Sequence, residues 1–334
     1  MRNNFSINII RIVNNKIIKT LFIVLLIFAV YFQFNKINAN DSVDLKIVNS
    51  LYFLIAFIFF IYTLLAHVLT WHILINSLGG KIRFRNSIYI YFISGLLRYL
   101  PGNYWYIFSR SAMGLNLGID MSKNISGTSL EILLNLLMGI SLSLVGVLWG
   151  IELEIKQLSW ILVFFIVCSI LLILLLVIGK KKINSSNSIA LSKAVIFFHD
   201  ICKLKNLPFW KVCFLLFLFL SIWIAQGFSL FFVLSAFIPL NFSFYPLVMF
   251  SYVISWVIGF INPITPNGLG IREALLMITL TPTISTSVAL GASIIMRLLG
   301  LAGESILAFL GWISSRGTRQ SKECENLDQK ERLK

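Results

Sequence analysis

The sequence predicts an all-α polytopic membrane protein with about six full spans, two re-entrant helical hairpins and two halves related as an inverted-topology repeat. Three observations predict it. Of 334 residues, 58% are hydrophobic and only 12% charged, and several apolar runs exceed the roughly 20 residues that cross a bilayer. The Lys and Arg behind the net charge of +15 sit in short loops and tails, the distribution of a membrane topology rather than of a nucleic-acid surface. Two apolar stretches are broken by proline and glycine and also carry charges, both of which are costly in hydrocarbon.

Residues 1–20 are basic (Arg2, Arg11, Lys16, Lys19) and cytoplasmic, with Phe5–Thr20 lying along the inner surface as an amphipathic stretch. The first membrane half, 21–179, opens with the apolar run Leu21–Phe34. Ile37-Asn38-Ala39 loosely resembles a signal-peptidase site, but the run is read as a retained span. The loop Asn35–Ser50 balances Lys36 and Lys46 against Asp41 and Asp44 and lies outside. Leu51–Ile75 returns to the inner side, where Lys81, Arg83 and Arg85 hold the next loop.

Ser87–Leu117 leaves from and returns to that inner side and breaks at Pro101-Gly102-Asn103. Ile125–Trp149 runs outward with Glu131, Glu152 and Glu154 mark an outer loop, and Ser159–Ile178 runs inward. The linker 180–208 is lysine-rich and cytoplasmic, with Ile189–Leu204 amphipathic on the inner leaflet.

The second membrane half is 209–313. Trp210–Phe237 runs outward, and Tyr245–Ser287 leaves from and returns to the outer side around a break from Pro263 to Gly270. Val288–Ile313 runs inward with Arg297. The polar tail 314–334 is expected to be cytoplasmic and disordered. The pieces of the two broken stretches are at most marginally long enough to cross, so they read as hairpins packed in protein or lining a wet cavity. Ten full spans is the competing count. Each half thus holds a span, a hairpin and a span of opposite direction, with Pro101 and Glu131 spaced almost as Pro266 and Arg297 are. That is the layout of an inverted repeat.

At membrane depth stand Arg98, Arg110, Arg272 and Arg297 with Glu131, Glu273 and Glu304. Inverted symmetry would bring the arginine of one hairpin near the other half's glutamate. Two readings are open: a structural salt-bridge network, or a site for an anionic head group. One arginine is in excess, and planar guanidinium suits bidentate phosphate contact. In the turn Pro266-Asn267-Gly268-Leu269-Gly270, the glycines allow close approach. A helix beginning near Ile271 and running to Thr281 would present free N–H groups to phosphate or carboxylate.

His67 and His72 flank Trp71 as interfacial anchors. Asp41 and Asp44 read as a solvated loop, although a lipid-linked-sugar transferase would use such carboxylates. Cys168, Cys202, Cys213 and Cys324 form neither a disulfide framework nor a metal cluster. Nucleotide-binding and zinc motifs are missing, so no catalytic residue, metal or cofactor is expected.

Leu100-Pro101-Gly102-Asn103 with Trp105, Arg110, Gly118-Ile119 and Glu131 resembles the first signature of the lysylphosphatidylglycerol synthase transmembrane, or flippase-like, family. Pro266-Asn267-Gly268-Leu269-Gly270-Ile271-Arg272-Glu273, then Arg297 and Glu304, resembles the second and sharper one. The resemblance covers about Leu21 to Ile313. Asn267 stands where many relatives have a second glycine, and the aminoacyltransferase domain of the full synthase is not in this sequence.

The resemblance implies an inner-membrane domain that moves aminoacylated or glycosylated, including polyprenyl-linked, lipids across the bilayer. On this expectation the chain is a passive flippase and not an enzyme. Its partners are lipids with anionic head groups and proteins of envelope or polysaccharide biosynthesis, with no nucleic acid. Asn267, Gly268, Gly270, Arg272 and Arg297 would meet the head group, with Arg98 and Arg110 serving from the opposite hairpin. Glu131, Glu273 and Glu304 would hold the arginines. A membrane transferase acting on a lipid-linked donor, and a non-catalytic scaffold of a glycan-assembly complex, are the alternatives.

Overall fold

A computed structural model describes residues 47–99, 105–148, 208–262 and 265–332. The expected amphipathic stretch Phe5–Thr20, the span Leu21–Phe34, most of the loop Asn35–Ser50, the turn Pro101-Gly102-Asn103, the span Ser159–Ile178 and nearly all of the linker lie outside the described residues. Among those residues there are eight α-helices and no strand. They are α1 (Leu51–Ser77), α2 (Phe84–Gly95), α3 (Trp105–Leu115), α4 (Met121–Leu148), α5 (Phe209–Ser235), α6 (Tyr245–Ile261), α7 (Ile271–Leu280) and α8 (Thr286–Arg332), with 3₁₀ turns at Leu96–Tyr99, Phe242–Phe244 and Pro266–Gly268. This is a helical membrane protein.

Five stretches are long and apolar enough to cross a bilayer: Leu51–Ser77, Met121–Gly146, Phe209–Ser235, Phe242–Ile261 and Thr286–Ile313. Four of them are spans expected from the sequence. The fifth is the first limb of the second broken stretch, which is longer than the short piece expected there. Its apolar run is continuous from Tyr245 to Ile261, and the Phe242–Phe244 turn extends it toward the outer end. At about 1.5 Å per residue, the 12-residue α2, 11-residue α3 and 10-residue α7 reach only about half the hydrocarbon thickness or a little more.

The helices pack reciprocally. α1 lies against α5. The first limb of each broken stretch packs on the long helix that follows the other broken stretch, α2 on α8 and α6 on α4. Each second limb packs on the long helix that follows it, α3 on α4 and α7 on α8. Glycines allow the crossings: Gly139 and Gly146 of α4 abut Val257 and Phe250 of α6, and Gly300 and Gly303 of α8 abut Phe60 and Leu64 of α1. Lipid offers helices no hydrophobic drive to associate, so close approach of this kind supplies the attraction. The buried centre is aromatic and aliphatic, with Trp71, Trp223, Leu230, Leu234 and Val253.

Both ends of the bundle are tied by contacts between distant segments. Val48 N–H donates to the Ala236 carbonyl at 2.8 Å, joining the start of α1 to the end of α5. At the other end Gly311 lies against Tyr89, beside the loop that holds Lys81, Arg83 and Arg85. One expectation needs revising. The segment from Ser314 to Arg332 is helical, a continuation of α8, rather than irregular. Extending a formed helix costs no new nucleus, and its Glu, Lys, Gln and Arg are good helix formers.

Candidate functional site

The first half gathers its charge around Glu131 of α4. Glu131 Oε2 accepts from Arg110 of α3 at 3.0 Å, and Oε1 accepts from the Tyr91 hydroxyl of α2 at 2.6 Å. Arg110 is fully buried. Its Nε donates to the Ser94 hydroxyl at 3.2 Å, and its guanidinium lies 3.9 Å from the Tyr91 ring, 5.3 Å from Trp71 and 5.6 Å from Tyr106. Asn124 donates to the Arg110 carbonyl at 2.9 Å, and Trp71 donates to Thr128 at 3.0 Å. A carboxylate and a guanidinium removed from water are tolerable in this form because each meets the other and several further groups.

The second half builds a different arrangement on the same plan. The turn after α6 reverses through Asn267, at φ 49° and ψ 31°, then Gly268 at φ 69° and Gly270 at φ 86°. Asparagine is among the residues that tolerate the left-handed region, so it serves at this position as glycine would. Gly268 is required for a second reason: a Cβ there would stand 2.7 Å from the Gly259 carbonyl oxygen and 3.0 Å from Arg272 Nε. α7 then runs from Ile271 to Leu280 and ends at Thr281, as the Pro282 stop predicts.

Glu273 caps this helix from within. Its Oε2 accepts from Gly270 N–H at 2.7 Å, and its Oε1 pairs with Arg297 of α8. Arg297 also donates to the Gly268 carbonyl at 3.1 Å. Part of the helix N-terminus that the sequence reserves for an external anion is therefore occupied by the chain's own carboxylate. Arg297 pins the turn to α8.

Arg272 is left over. It donates to the Asn267 side-chain oxygen at 3.3 Å and lies over Trp256 at 5.3 Å. Its Nε has no partner, and among the described residues no carboxylate pairs with it. Arg297, Glu273 and Arg98 all lie close enough for their charges to act on it. Arg98 reaches this place from the other half: the turn Leu96–Tyr99 meets the turn Pro266–Gly268, and Arg98 pairs with Glu304 of α8 at 3.4 Å. Among the described residues three arginines and two carboxylates thus meet where the two broken stretches touch, an excess of one positive charge. An anionic oxygen can be held there by guanidinium forks.

The arginine of the first hairpin that meets the other half's glutamate is Arg98, paired with Glu304; among the described residues Arg110–Glu131 and Arg297–Glu273 close within their own halves, because each second limb packs on the long helix that follows it. Arg110 is fully buried and meets the three-arginine cluster through the Tyr106 ring that it shares with Arg98. The sequence reading missed Tyr91, Trp71, Tyr106 and Trp256 as partners of the arginines. It also placed His67 at the interface, whereas His67 Nδ1 lies 3.5 Å from Glu131 Oε1. Their type was the available signal, since arginine buried in a membrane favours aromatic faces. His72 instead bonds Ser87 at 2.8 Å.

Among the described residues no group of three or more His, Cys, Asp or Glu is placed to hold a metal ion. The family model of the lysylphosphatidylglycerol synthase TM region matches residues 16–308. No curated protein matches the chain.

Proposed function

The chain belongs to the lysylphosphatidylglycerol synthase TM region family, and from that premise we propose that it moves an anionic aminoacylated or glycosylated lipid, polyprenyl-linked lipids included, across the cytoplasmic membrane. The observation that carries this reading is Arg272: a guanidinium without a carboxylate partner among the described residues, beside Arg98 and Arg297, at a broken helix. A charge at membrane depth costs on the order of 2.5–3.5 kcal/mol or more on an isolated helix. A purely structural network would be expected to neutralise the fourth arginine as it does the other three. Head-group phosphate supplies the missing charge.

The two broken stretches act as re-entrant hairpins, and their turns Leu96–Tyr99 and Pro266–Gly268 meet at the head-group site. The reciprocal packing of α2 on α8 and α6 on α4 supports an inverted-topology repeat, in which one half rocks against the other about a shared site. The end that carries Lys81, Arg83 and Arg85 faces the cytoplasm, and so do both termini. The lipid tails stay in the bilayer while the head group crosses between the hairpins. Proteins of envelope or polysaccharide biosynthesis would supply or take the lipid.

The test is transfer of short-chain fluorescent phosphatidylglycerol in liposomes that hold the purified full chain, read by chemical quenching of the outer leaflet. Wild type transfers the lipid faster than empty liposomes, and Arg272→Ala removes the difference. Transfer no faster than in empty liposomes would sink the reading. Loss in cells with Asp41→Asn or Asp44→Asn, beside tolerance of Arg272→Ala, would favour a membrane transferase instead.

A further inference from the structure

We propose that His67 is a proton-binding site, in which Nε2 takes the proton and Glu131 orients the ring. The site stands on the cluster around Glu131, while its use in driving lipid transfer rests on the function proposed above. His67 lies on α1 with Nδ1 3.5 Å from Glu131 Oε1. That nitrogen is sealed and has no hydrogen-bond partner, yet 15% of the side chain is exposed. Nε2 makes no hydrogen bond and is not among the sealed atoms.

The electrostatics select a tautomer. A lone pair on Nδ1 would face an anionic oxygen, whereas an N–H there is attracted to it. The neutral ring therefore carries its hydrogen on Nδ1, which leaves the lone pair on the accessible Nε2. Proton uptake is a simple transfer: hydronium gives its proton to Nε2 and leaves as water, and the ring becomes imidazolium.

The groups around His67 make that added charge matter. Glu131 on α4, Arg110 on α3 and Tyr91 on α2 face it, with Arg110 and Glu131 cancelling each other. On its own helix, His72 is turned to Ser87. α5 brings the apolar Phe219 and Ile222 beside Ala66. α8 packs Gly300 and Gly303 on Phe60 and Leu64 and holds Glu304 in its pair with Arg98.

A protonated His67 competes with Arg110 for Glu131 and leaves the cluster one positive charge in excess. Arg110 shares the Tyr106 ring with Arg98, at 5.6 and 5.1 Å. A shift of Arg110 thus reaches Arg98, whose partner Glu304 belongs to the other half. Proton binding on one half is in this way linked to the pair that ties the halves together, a driving force that a passive flippase lacks.

Two measurements decide it. Nitrogen-15 NMR of histidine-labelled full chain in liposomes, with the His67 signal assigned by its disappearance in His67→Gln, reads the tautomer. The expected result is a neutral ring with its hydrogen on Nδ1 and a second proton arriving on Nε2 under acid. Glu131→Gln should lose the Nδ1 preference. Tyr91→Phe, which keeps the Arg110–Glu131 pair and frees Oε1, should strengthen the Nδ1–H signature and serves if Glu131→Gln fails to accumulate. A neutral ring with its hydrogen on Nε2, or an Nδ1–H signature unchanged in Tyr91→Phe, overturns the site.

The second measurement imposes a pH difference across the same liposomes and follows fluorescent phosphatidylglycerol. The gradient should speed transfer several-fold in wild type and leave His67→Gln unaffected. An equal response in both, or none in wild type while lipid still moves, overturns the coupling. If no lipid moves in wild type, the transport reading fails while the tautomer result still decides the site.

Discussion

The two broken stretches share a plan and differ in what their charges are left to do. In the first half the second limb supplies an arginine and the following helix a glutamate, Arg110 and Glu131. In the second half the polarity is reversed, with Glu273 on the limb and Arg297 on the helix. The first pair is sealed: Arg110 has no exposed surface and is surrounded by Tyr91, Trp71 and Tyr106. The second pair is spent on holding a turn, through Gly270 N–H and the Gly268 carbonyl, and it keeps Arg272 beside that turn without a carboxylate of its own. Equivalent ion pairs thus do unequal work. One is an anchor, and the other is the scaffold of the residue proposed to bind lipid.

The largest effect that would break this comparison lies in the anchor. Arg110→Ala leaves Glu131 buried and without its charge partner, a change worth roughly 3–5 kcal/mol in a buried pair. The protein should fail to accumulate in membranes, or should unfold at a clearly lower temperature in detergent. Replacing both partners with leucine should recover much of the loss, because removing a buried pair together is far cheaper than stranding one member. Normal accumulation of Arg110→Ala would show that the first cluster is not an anchor.

Arg272→Ala should do the reverse. With no ion pair to break, it should accumulate at near wild-type abundance, yet lipid transfer should fall to the level of empty liposomes. Arg272→Lys keeps the charge and loses the fork, so it should retain only a little transfer. If Arg272→Ala is lost from the membrane as Arg110→Ala is, the two halves are alike after all and the cluster is a staple.

What was legible in the sequence follows the same division. Long apolar runs and their proline and glycine breaks are local signals, and they located four of the expected spans, the second break and the limits of α7 at Gly270 and Thr281. The family signatures were local too. Pairing was not, since it depends on which helix lies beside which. Arg297 and Glu304 lie two turns apart on one side of α8, so one meets Glu273 and the other Arg98. No sequence spacing says that His67 of α1 lies opposite Glu131. The helical course of Ser314–Arg332 was missed because a polar composition was weighed as disorder, although the segment continues a helix already formed.

A smaller effect is expected at the turn that scaffolds Arg272. Gly268→Ala must bear a Cβ 2.7 Å from the Gly259 carbonyl oxygen at a φ of 69°. Strain of this type costs on the order of 1–3 kcal/mol. Since Arg297 ties Gly268 to α8, a moved turn displaces Arg272, and transfer should fall several-fold while the protein still inserts. Transfer at the wild-type rate would mean that the position of the turn does not set the position of Arg272.

The smallest effect separates backbone from side chain at Asn267. Asn267→Gly suits the left-handed φ of 49°, so stability should change by no more than a few tenths of a kcal/mol, up or down. It also removes the amide oxygen that accepts from Arg272 at 3.3 Å. That contact is long and half-buried, so transfer should drop only slightly. Asn267→Asp sharpens the point, because it keeps the conformation and gives Arg272 the carboxylate it lacks. If Arg272 binds lipid phosphate, Asn267→Asp should lower transfer more than Asn267→Gly does, and the loss should ease as salt screens the new pair. Equal transfer in the two variants would show that the charge of Arg272 is not what the lipid meets.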